Sequence, residues 1–294
     1  MLPRVATIGF FDGVHKGHRY LMNELRFYAA QNWCDPLIVT FREHPRHVLQ
    51  SPNTPLLLTL ADERKALLEQ YAEVLMSPFA DVQPMTAAQF MRHLKDKYNV
   101  RLLLMGYDHR FGSDRLTDFA DYKRIAAEIG VNVEKMNQYL ETGLHVSSTV
   151  IRSLISGGDV ESANMLLGRQ YSLSGEIVHG NAIGHTIGFP TANLQVDSLK
   201  QIPAAGVYAG SAAVGYKEYK AVINIGSNPT IGNADQTIEA HLIDYDGGDL
   251  YGQTMTINLT RRVRDERKFD TIEELKAQIT RDIDNILHPL SALQ

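Results

Sequence analysis

Up to about residue 168, short apolar runs alternate with amphipathic helices; beyond it, strand signals follow one another with no helix between them. That change of rhythm limits the chain to two architectures in series. In the first half, 5–11 (VATIGFF), 37–41 (LIVTF), 74–79 (VLMSPF), 100–106 (VRLLLMG) and 131–136 (VNVEKM) read as strands. Leu21, Leu25, Tyr28 and Ala29 mark a helical stripe, and 59–71 reads as a helix with Thr59 as its N-cap. Thr86 and Gln89 form a capping-box pair, and a helix from Phe119 to Glu128 is closed by Gly130. Strands alternating with helices imply an α/β unit whose parallel sheet is covered on both faces.

Two short helices are expected next, at 148–156 and 159–167, the second bracketed by Asp159 and Gly168. Then come strand signals at 171–178, 206–214, 219–226, 237–245 and 254–260, separated by Gly, Pro, Asn and Asp turns. Closely spaced strands predict a small antiparallel β-barrel. A terminal helix follows, with Thr271 and Glu274 as a capping box and Ile272, Leu275, Ile279 and Ile283 as its apolar stripe. The expected division is therefore 1–168 and 169–294, and a length of 294 residues suits two domains.

The net charge of −5 argues against bulk nucleic-acid binding, which wants a basic face, but leaves room for a local nucleotide pocket. Cys34 is the only cysteine, so an intramolecular disulfide is impossible and a cysteine-based zinc site is disfavoured. No basic segment leads into a long apolar one, and the apolar runs are far shorter than the roughly 18 residues of a membrane span. A soluble, cytoplasmic protein is expected.

The stretch 9–21 (GFFDGVHKGHRYL) sets His15 and His18 at the start of an amphipathic helix, directly after a buried strand and a glycine turn. In an open α/β sheet ligands bind at the carboxyl ends of strands. A helix N-terminus there offers free N–H groups and a positive dipole end, which suit phosphate. Gly17 allows a ligand to approach the backbone, and imidazole N–H groups can stabilise charge growing on a transferred phosphate. A metal site is the first alternative, but apart from Asp12 no carboxylate or thiol nearby completes a ligand set. Surface histidines of no consequence are the second.

At these residues the chain resembles a known family. GFFDGVHKGH (9–18) is similar to the H-x-G-H motif of the nucleotidyltransferase superfamily, and more closely to the G-x-F-D-G-x-H-x-G-H form of bacterial bifunctional riboflavin kinase/FMN adenylyltransferases (FAD synthetases). TFREHPR (40–46) matches that family's T-F-x-x-H-P segment, GYDHRFG (106–112) is similar to its G-x-D-F-x-F-G loop, and VSSTVIR (146–152) matches S-S-T-x-I-R. The order and spacing of these motifs, over nearly the whole chain, are specific where each alone is modest. The resemblance implies a Rossmann-like nucleotidyltransferase domain in which His15 and His18 contact ATP phosphates. It implies nucleotide binding by Gly9, Phe11, Asp12, Gly13 and Gly17, and by a second element of Ser147, Ser148, Thr149 and Arg152. Three hydroxyls at a helix start followed by an arginine suit a phosphate on chemical grounds too, although they can equally cap a helix. Asp108 matches the acidic or amide position of the flavin/ATP loop, and otherwise reads as an ordinary turn aspartate. His109 departs from the aromatic residue usual there. The chain also starts close to its first strand, where relatives often carry a leading segment, so one sheet edge is expected to be short.

In the second half GHTIGFPTANL (184–194) falls in the first turns of the barrel. Gly180, Gly184 and Gly188 permit close approach of backbone to phosphate, Thr191 offers a hydroxyl to Mg²⁺, and Asn193 an amide to a phosphate oxygen. Glycines alone would favour a hairpin with no ligand. The string, however, resembles the P-T-A-N motif of riboflavin kinases, as do 224–232 and 249–252. In TIEAHLIDY, Ile238, Ala240 and Leu242 share one strand face and Thr237, Glu239 and His241 the other. The resemblance makes Glu239 the base that takes the proton from the riboflavin 5′-hydroxyl; otherwise it is a solvated strand carboxylate. His185 replaces the arginine common after that glycine, and a neutral imidazole supplies no permanent charge.

The resulting expectation is two enzymes on one chain. The barrel converts riboflavin and ATP to FMN and ADP, and the α/β unit joins FMN to AMP from ATP, giving FAD and pyrophosphate, with Mg²⁺ bridging phosphate oxygens in both sites. No nucleic-acid or membrane partner is expected. The rivals are a chain with only one working activity, for which His109 and His185 speak; a flavin- or nucleotide-binding regulator, which has no use for a base such as Glu239; and a nucleic-acid module, disfavoured by the acidic balance and by barrel strands lacking an aromatic-basic stripe.

Overall fold

The computed structural model describes residues 2–51, 54–141, 144–180, 184, 187–227 and 236–288. They form two compact units, Met1–Ser148 and Thr149–Gln294.

The first unit runs β1 (Arg4–Ile8), α1 (Lys16–Gln31), β2 (Asp35–Phe41), α2 (Pro45–Val48), α3 (Ala61–Glu69), β3 (Glu73–Ser77), α4 (Phe79–Val82), α5 (Ala87–Tyr98), β4 (Val100–Met105), α6 (Phe119–Ile129) and β5 (Asn132–Lys135), followed by a small hairpin, β6 (Leu140–Glu141) and β7 (Leu144–His145). The sheet order is β3-β2-β1-β4-β5, every pair parallel. Apolar strands buried on both faces explain the uninterrupted hydrophobic runs. Ala6, Ile8 and Leu103 pack with Phe90, Met91 and Tyr122 of α5 and α6, while Val5, Ile38 and Leu104 pack with Leu21, Met22 and Leu25 of α1. Chain order reverses between β1 and β4, so their carboxyl ends flank the crevice where such sheets take ligands. The motif segments 9–18 and 106–112 both leave from there.

Two expectations need correcting here. β1 ends at Ile8 rather than at Phe11, because Phe11 turns to φ +55° and leads into the turn before α1. Leu60, not Thr59, is the N-cap of α3; Glu63 accepts from the Leu60 amide, and Thr59 is buried against Asp12 instead. The first strand is central in the sheet, and the edges are β3 and β5.

The second unit has α7 (Ser148–Gly157), α8 (Val160–Leu167), β8 (Tyr171–Val178), β9 (Ala192–Val196), β10 (Gly206–Val214), β11 (Lys217–Ser227), β12 (Gln236–Leu242), β13 (Thr254–Arg264) and α9 (Ile272–Leu287). Its strands close into a barrel in the order β10-β11-β12-β9-β8-β13, antiparallel throughout. On β12 the alternation holds: Ile238, Ala240 and Leu242 are buried, and Glu239 and His241 lie on the other face half-buried. On β11 Ala221, Ile223 and Ile225 are fully buried, and Val222, of opposite parity, packs with Ile283, Ile286 and Leu287 of α9. The α9 capping box is incomplete: Thr271 accepts from the Glu274 amide, but the Glu274 carboxylate accepts from Asp270 one residue earlier. β9 was not expected as a strand. The compact units divide at Ser148, ahead of the expected 168, because α8 is tied to the barrel: the Asn164 amide donates to Leu259 O (2.8 Å) and accepts from the Tyr171 amide (2.7 Å).

Candidate active site

In the first unit the site is built by a turn held from below. Phe11, Gly13 and Val14 all have positive φ, the last at +39°, a conformation that β-branched residues rarely hold without support. The support is Asp12. It is buried, and its carboxylate accepts from the amides of Leu58 (3.1 Å) and Thr59 (3.0 Å) and from the Thr59 hydroxyl (3.2 Å). The same hydroxyl accepts from the Gly13 amide at 2.9 Å. Beneath lies Arg64, fully buried, donating to the carbonyls of Thr59, Phe41 and Arg42, with its guanidinium 4.0 Å from the centre of the Phe10 ring. Burial lowers its pKa to about 10, so it stays charged at neutral pH. Replacing Asp12 by Ala strands two buried amides, and unfolding of the first unit in urea should then show a loss of about 1–3 kcal/mol. FAD formation should fall with it while riboflavin phosphorylation persists; an unchanged unfolding midpoint would show that the turn holds without the carboxylate.

From this turn His15 emerges as the N-cap of α1, its Nδ1 accepting from the His18 amide at 3.3 Å. An accepting Nδ1 bears no proton, so neutral His15 carries its N–H on Nε2. The His15 and His18 rings stack with centroids 3.6 Å apart, and His18 meets the edge of Phe11. Gly9 and Gly17 have packing reasons to be glycine: a Cβ would fall 2.5 Å from the Phe11 ring in the first case and 3.3 Å from the His15 ring in the second. Lys16, between the histidines, is paired with Glu141 of β6 at 2.6 Å, and that contact with Tyr139 holds the Glu141 carboxyl below its usual range. The Ser148 hydroxyl donates to Asp12 O at 2.9 Å, which brings the second expected motif to the first. Ser147 precedes it; Thr149 and Arg152 follow on α7, where Arg152 lies one turn beyond Ser148. At the end of β4, Tyr107, Asp108, His109 and Arg110 line a cavity of about 60 Å³ closed by Tyr122 and Lys135.

In the second unit a cavity of about 280 Å³ lies on the outer face of the barrel, bounded by Phe189, Val222, Glu239, Arg264, Leu275 and Ile279 among others. Its wall is pinned by Arg264, which donates through Nε and Nη2 to the carboxylate of buried Asp282 of α9 (3.0 and 2.9 Å). The Thr191 hydroxyl donates to Glu239 Oε2 at 3.1 Å, and Asn193 stands directly opposite Glu239 in the β9–β12 ladder. His241 Nδ1 donates to Pro190 O at 2.8 Å, fixing the turn that carries Thr191. At Gly180 a Cβ would fall 2.2 Å from the Asn193 amide; Gly184 packs on Phe189 O, and Gly188 has φ +87°. His185 lies outside the described residues, as does part of 224–232.

The sequence therefore gathers Thr191, Asn193 and Glu239 at one place, and His15, His18, Asp12 and Ser148 at another. Thr59 and Arg64 escaped it, because their contacts to the turn span long stretches of chain with no local signal. The donor set of hydroxyl, amide and carboxylate oxygens at Thr191, Asn193 and Glu239 is of the hard kind that suits Mg²⁺.

A family profile described as FAD synthetase matches residues 2–150, and one described as riboflavin kinase matches residues 167–290. A bifunctional riboflavin kinase/FMN adenylyltransferase from Escherichia coli is 35% identical over 284 residues, spanning 95% of this chain and 90% of the relative. One of the same description from Bacillus subtilis is 33% identical over 306 residues, spanning 99% and 93%. A solved structure described as a macrolide-efflux protein from Streptococcus pneumoniae has a TM-score of 0.88 at 30% identity, covering 98% of this chain and 94% of that one. That description is of that protein; among the described residues here no helix is long and apolar enough to cross a membrane. With a sheet and a barrel each matched to its own profile, and whole-length relatives that unite the two, the chain belongs to the bifunctional riboflavin kinase/FMN adenylyltransferases, which phosphorylate riboflavin to FMN with ATP and adenylylate FMN to FAD.

Proposed function

We propose that the two reactions are run by separate residue sets, the adenylyl transfer within 1–168 and the phosphorylation within 169–294. The observation that carries the kinase assignment is the Thr191–Glu239 hydrogen bond at the rim of a largely apolar cavity. That cavity suits a flavin ring, and Glu239 retains lone pairs for the riboflavin 5′-hydroxyl. As the hydroxyl oxygen attacks the γ-phosphorus of ATP, Glu239 takes its proton and ADP leaves. Thr191 would hold Mg²⁺, which when bound neutralises phosphate charge, and Asn193 would offer its amide to a phosphate oxygen. Gly180, Gly184 and Gly188 keep side chains away from the phosphates.

In the adenylyl-transfer half the nucleophile is the FMN phosphate itself, already anionic, so no protein group needs to take a proton from it. An FMN oxygen attacks the α-phosphorus of ATP and pyrophosphate departs. His15 and His18 donate to the phosphate oxygens on which charge grows, at the dipole end of α1. Gly17 leaves the backbone amides open, and Asp12, Gly13, Phe11 and Gly9 hold the turn in place beforehand. Ser147, Ser148, Thr149 and Arg152 would bind the nucleotide phosphates, and Asp108 the flavin or ATP. A cytoplasmic setting fits reactions that consume ATP. The test is a time course with riboflavin and MgATP: FMN should rise first and FAD follow, and FAD without FMN, or FMN alone, would reject a two-reaction chain.

A further inference from the structure

The segment that leads from β5 to Ser148 passes between α1 and the loop after β4, and little of its own structure holds it there. Among its described residues the only regular piece is the β6–β7 hairpin, with Leu140 opposite His145 and Glu141 opposite Leu144. A two-stranded ribbon so short has no independent stability in water. Its place is therefore set by what its side chains grip. On one side Glu141 accepts from Lys16 Nζ at 2.6 Å and from the Tyr139 hydroxyl, and the Tyr139 ring lies against Tyr20 of α1, with centroids 5.8 Å apart. On the other side His145 Nε2 meets the hydroxyl of Tyr107, just beyond β4.

The grip on α1 joins full charges. The Lys16 and Glu141 side chains are only 29% and 17% exposed, so water screens them less than it does a surface pair. Lys16 is the first residue of α1, and the first turn of that helix has no acid of its own. A cation is unfavourable at that end of a helix and an anion favourable. Glu141 supplies from outside the charge that α1 lacks. Beyond the hairpin, the Val146 carbonyl runs 3.8 Å from where a Cβ on Gly17 would stand, and the Ser148 hydroxyl donates to Asp12 O at 2.9 Å. The strand that leaves the hairpin is thus the one that lays Ser147 and Ser148 along the turn bearing His15 and His18.

We propose that Glu141 is a positioning residue for adenylyl transfer: by holding Lys16 it keeps the hairpin docked on the start of α1, and so sets Ser147 and Ser148 against the two histidines before ATP arrives. This rests on the reading that the first half joins FMN to AMP. Glu141 acts through Lys16 and touches no substrate. The Lys16 ammonium is spent on the carboxylate, which leaves phosphate to the histidines, the α1 amides and the serine hydroxyls. Without the pair the docked form is only a fraction of the population. Apparent affinity for ATP then falls by that fraction, while enzyme that has bound ATP is docked and reacts at the normal rate.

The experiment uses the full chain with Glu141→Ala, Lys16→Ala and the double variant, and follows FAD formation from added FMN over a range of ATP concentrations. In each single variant KM for ATP should rise about three- to ten-fold with kcat kept. The double variant should match the singles, because all three break one contact. A fall in kcat with KM unchanged is what a loss of folded enzyme gives, and it overturns the proposal. An unchanged KM in Glu141→Ala overturns it too. So does a Lys16→Ala defect several-fold larger than that of Glu141→Ala, which would make Lys16 a phosphate ligand in its own right, or single effects that multiply in the double variant. Absence of FAD formation by the unsubstituted chain overturns instead the reading the proposal rests on.

Discussion

Glu239→Gln should leave riboflavin almost unphosphorylated, with a fall of about 10²–10⁴ in the rate of FMN formation, the usual cost of losing a general base. The substitution is chosen because the amide oxygen can still accept from the Thr191 hydroxyl, which the carboxylate now does at 3.1 Å, so the β12 surface keeps its shape. The variant should make FAD from supplied FMN at the normal rate, since its lesion lies outside the adenylyl-transfer residues. Product separation after incubation with riboflavin and, separately, with FMN decides the matter. FMN formation within three-fold or so of the unsubstituted enzyme would remove Glu239 from the mechanism, and loss of FAD formation from FMN would show that the halves are coupled.

His18→Ala should produce the complementary defect. It removes a donor to the transferring phosphate, worth about 10²–10³ in rate, and also the ring stacked 3.6 Å from His15. With riboflavin and MgATP the variant should accumulate FMN and make little FAD. Mixing the His18→Ala and Glu239→Gln proteins should restore FAD formation from riboflavin, because FMN released by one is substrate for the other. Failure of the mixture while each protein keeps its remaining activity would mean that FMN does not reach solution.

Both variants rest on residues that sequence reasoning reached, and the reasons differ. The face on which Glu239 lies was legible from the period-two alternation of β12, which a barrel strand must obey, while its role as base came from the resemblance alone. His15 and His18 were legible because a strand, a glycine turn and a helix start are all local features. The capping pairs at Thr86 and Asp159 were read for the same reason, and both hold in the structure. What was missed is non-local. Thr59 looked like a helix cap, since the sequence cannot reveal that its hydroxyl is taken by Asp12 and Gly13. Arg64 sits in the charged run Asp62–Lys65 and gives no sign of complete burial. β9 escaped because Ala192–Val196 follows a glycine- and proline-rich segment and shows little β-branched character.

The position of β1 carries a consequence for how the first unit assembles. Thr7 and Leu104 are joined by a side-chain hydrogen bond across 97 positions of chain, and β1 and β4 pair along their length. Closing so long a loop costs entropy before any contact repays it, and such pairings slow folding. β1 can find β2 early, through the short α1 crossover, but its other edge stays open until β4 has formed. The crevice between the loops after β1 and β4 has only one wall up to that moment. Binding competence in this half therefore arises in the same step that completes the sheet, and a chain halted before β4 would hold both histidines on a helix start with nothing facing them.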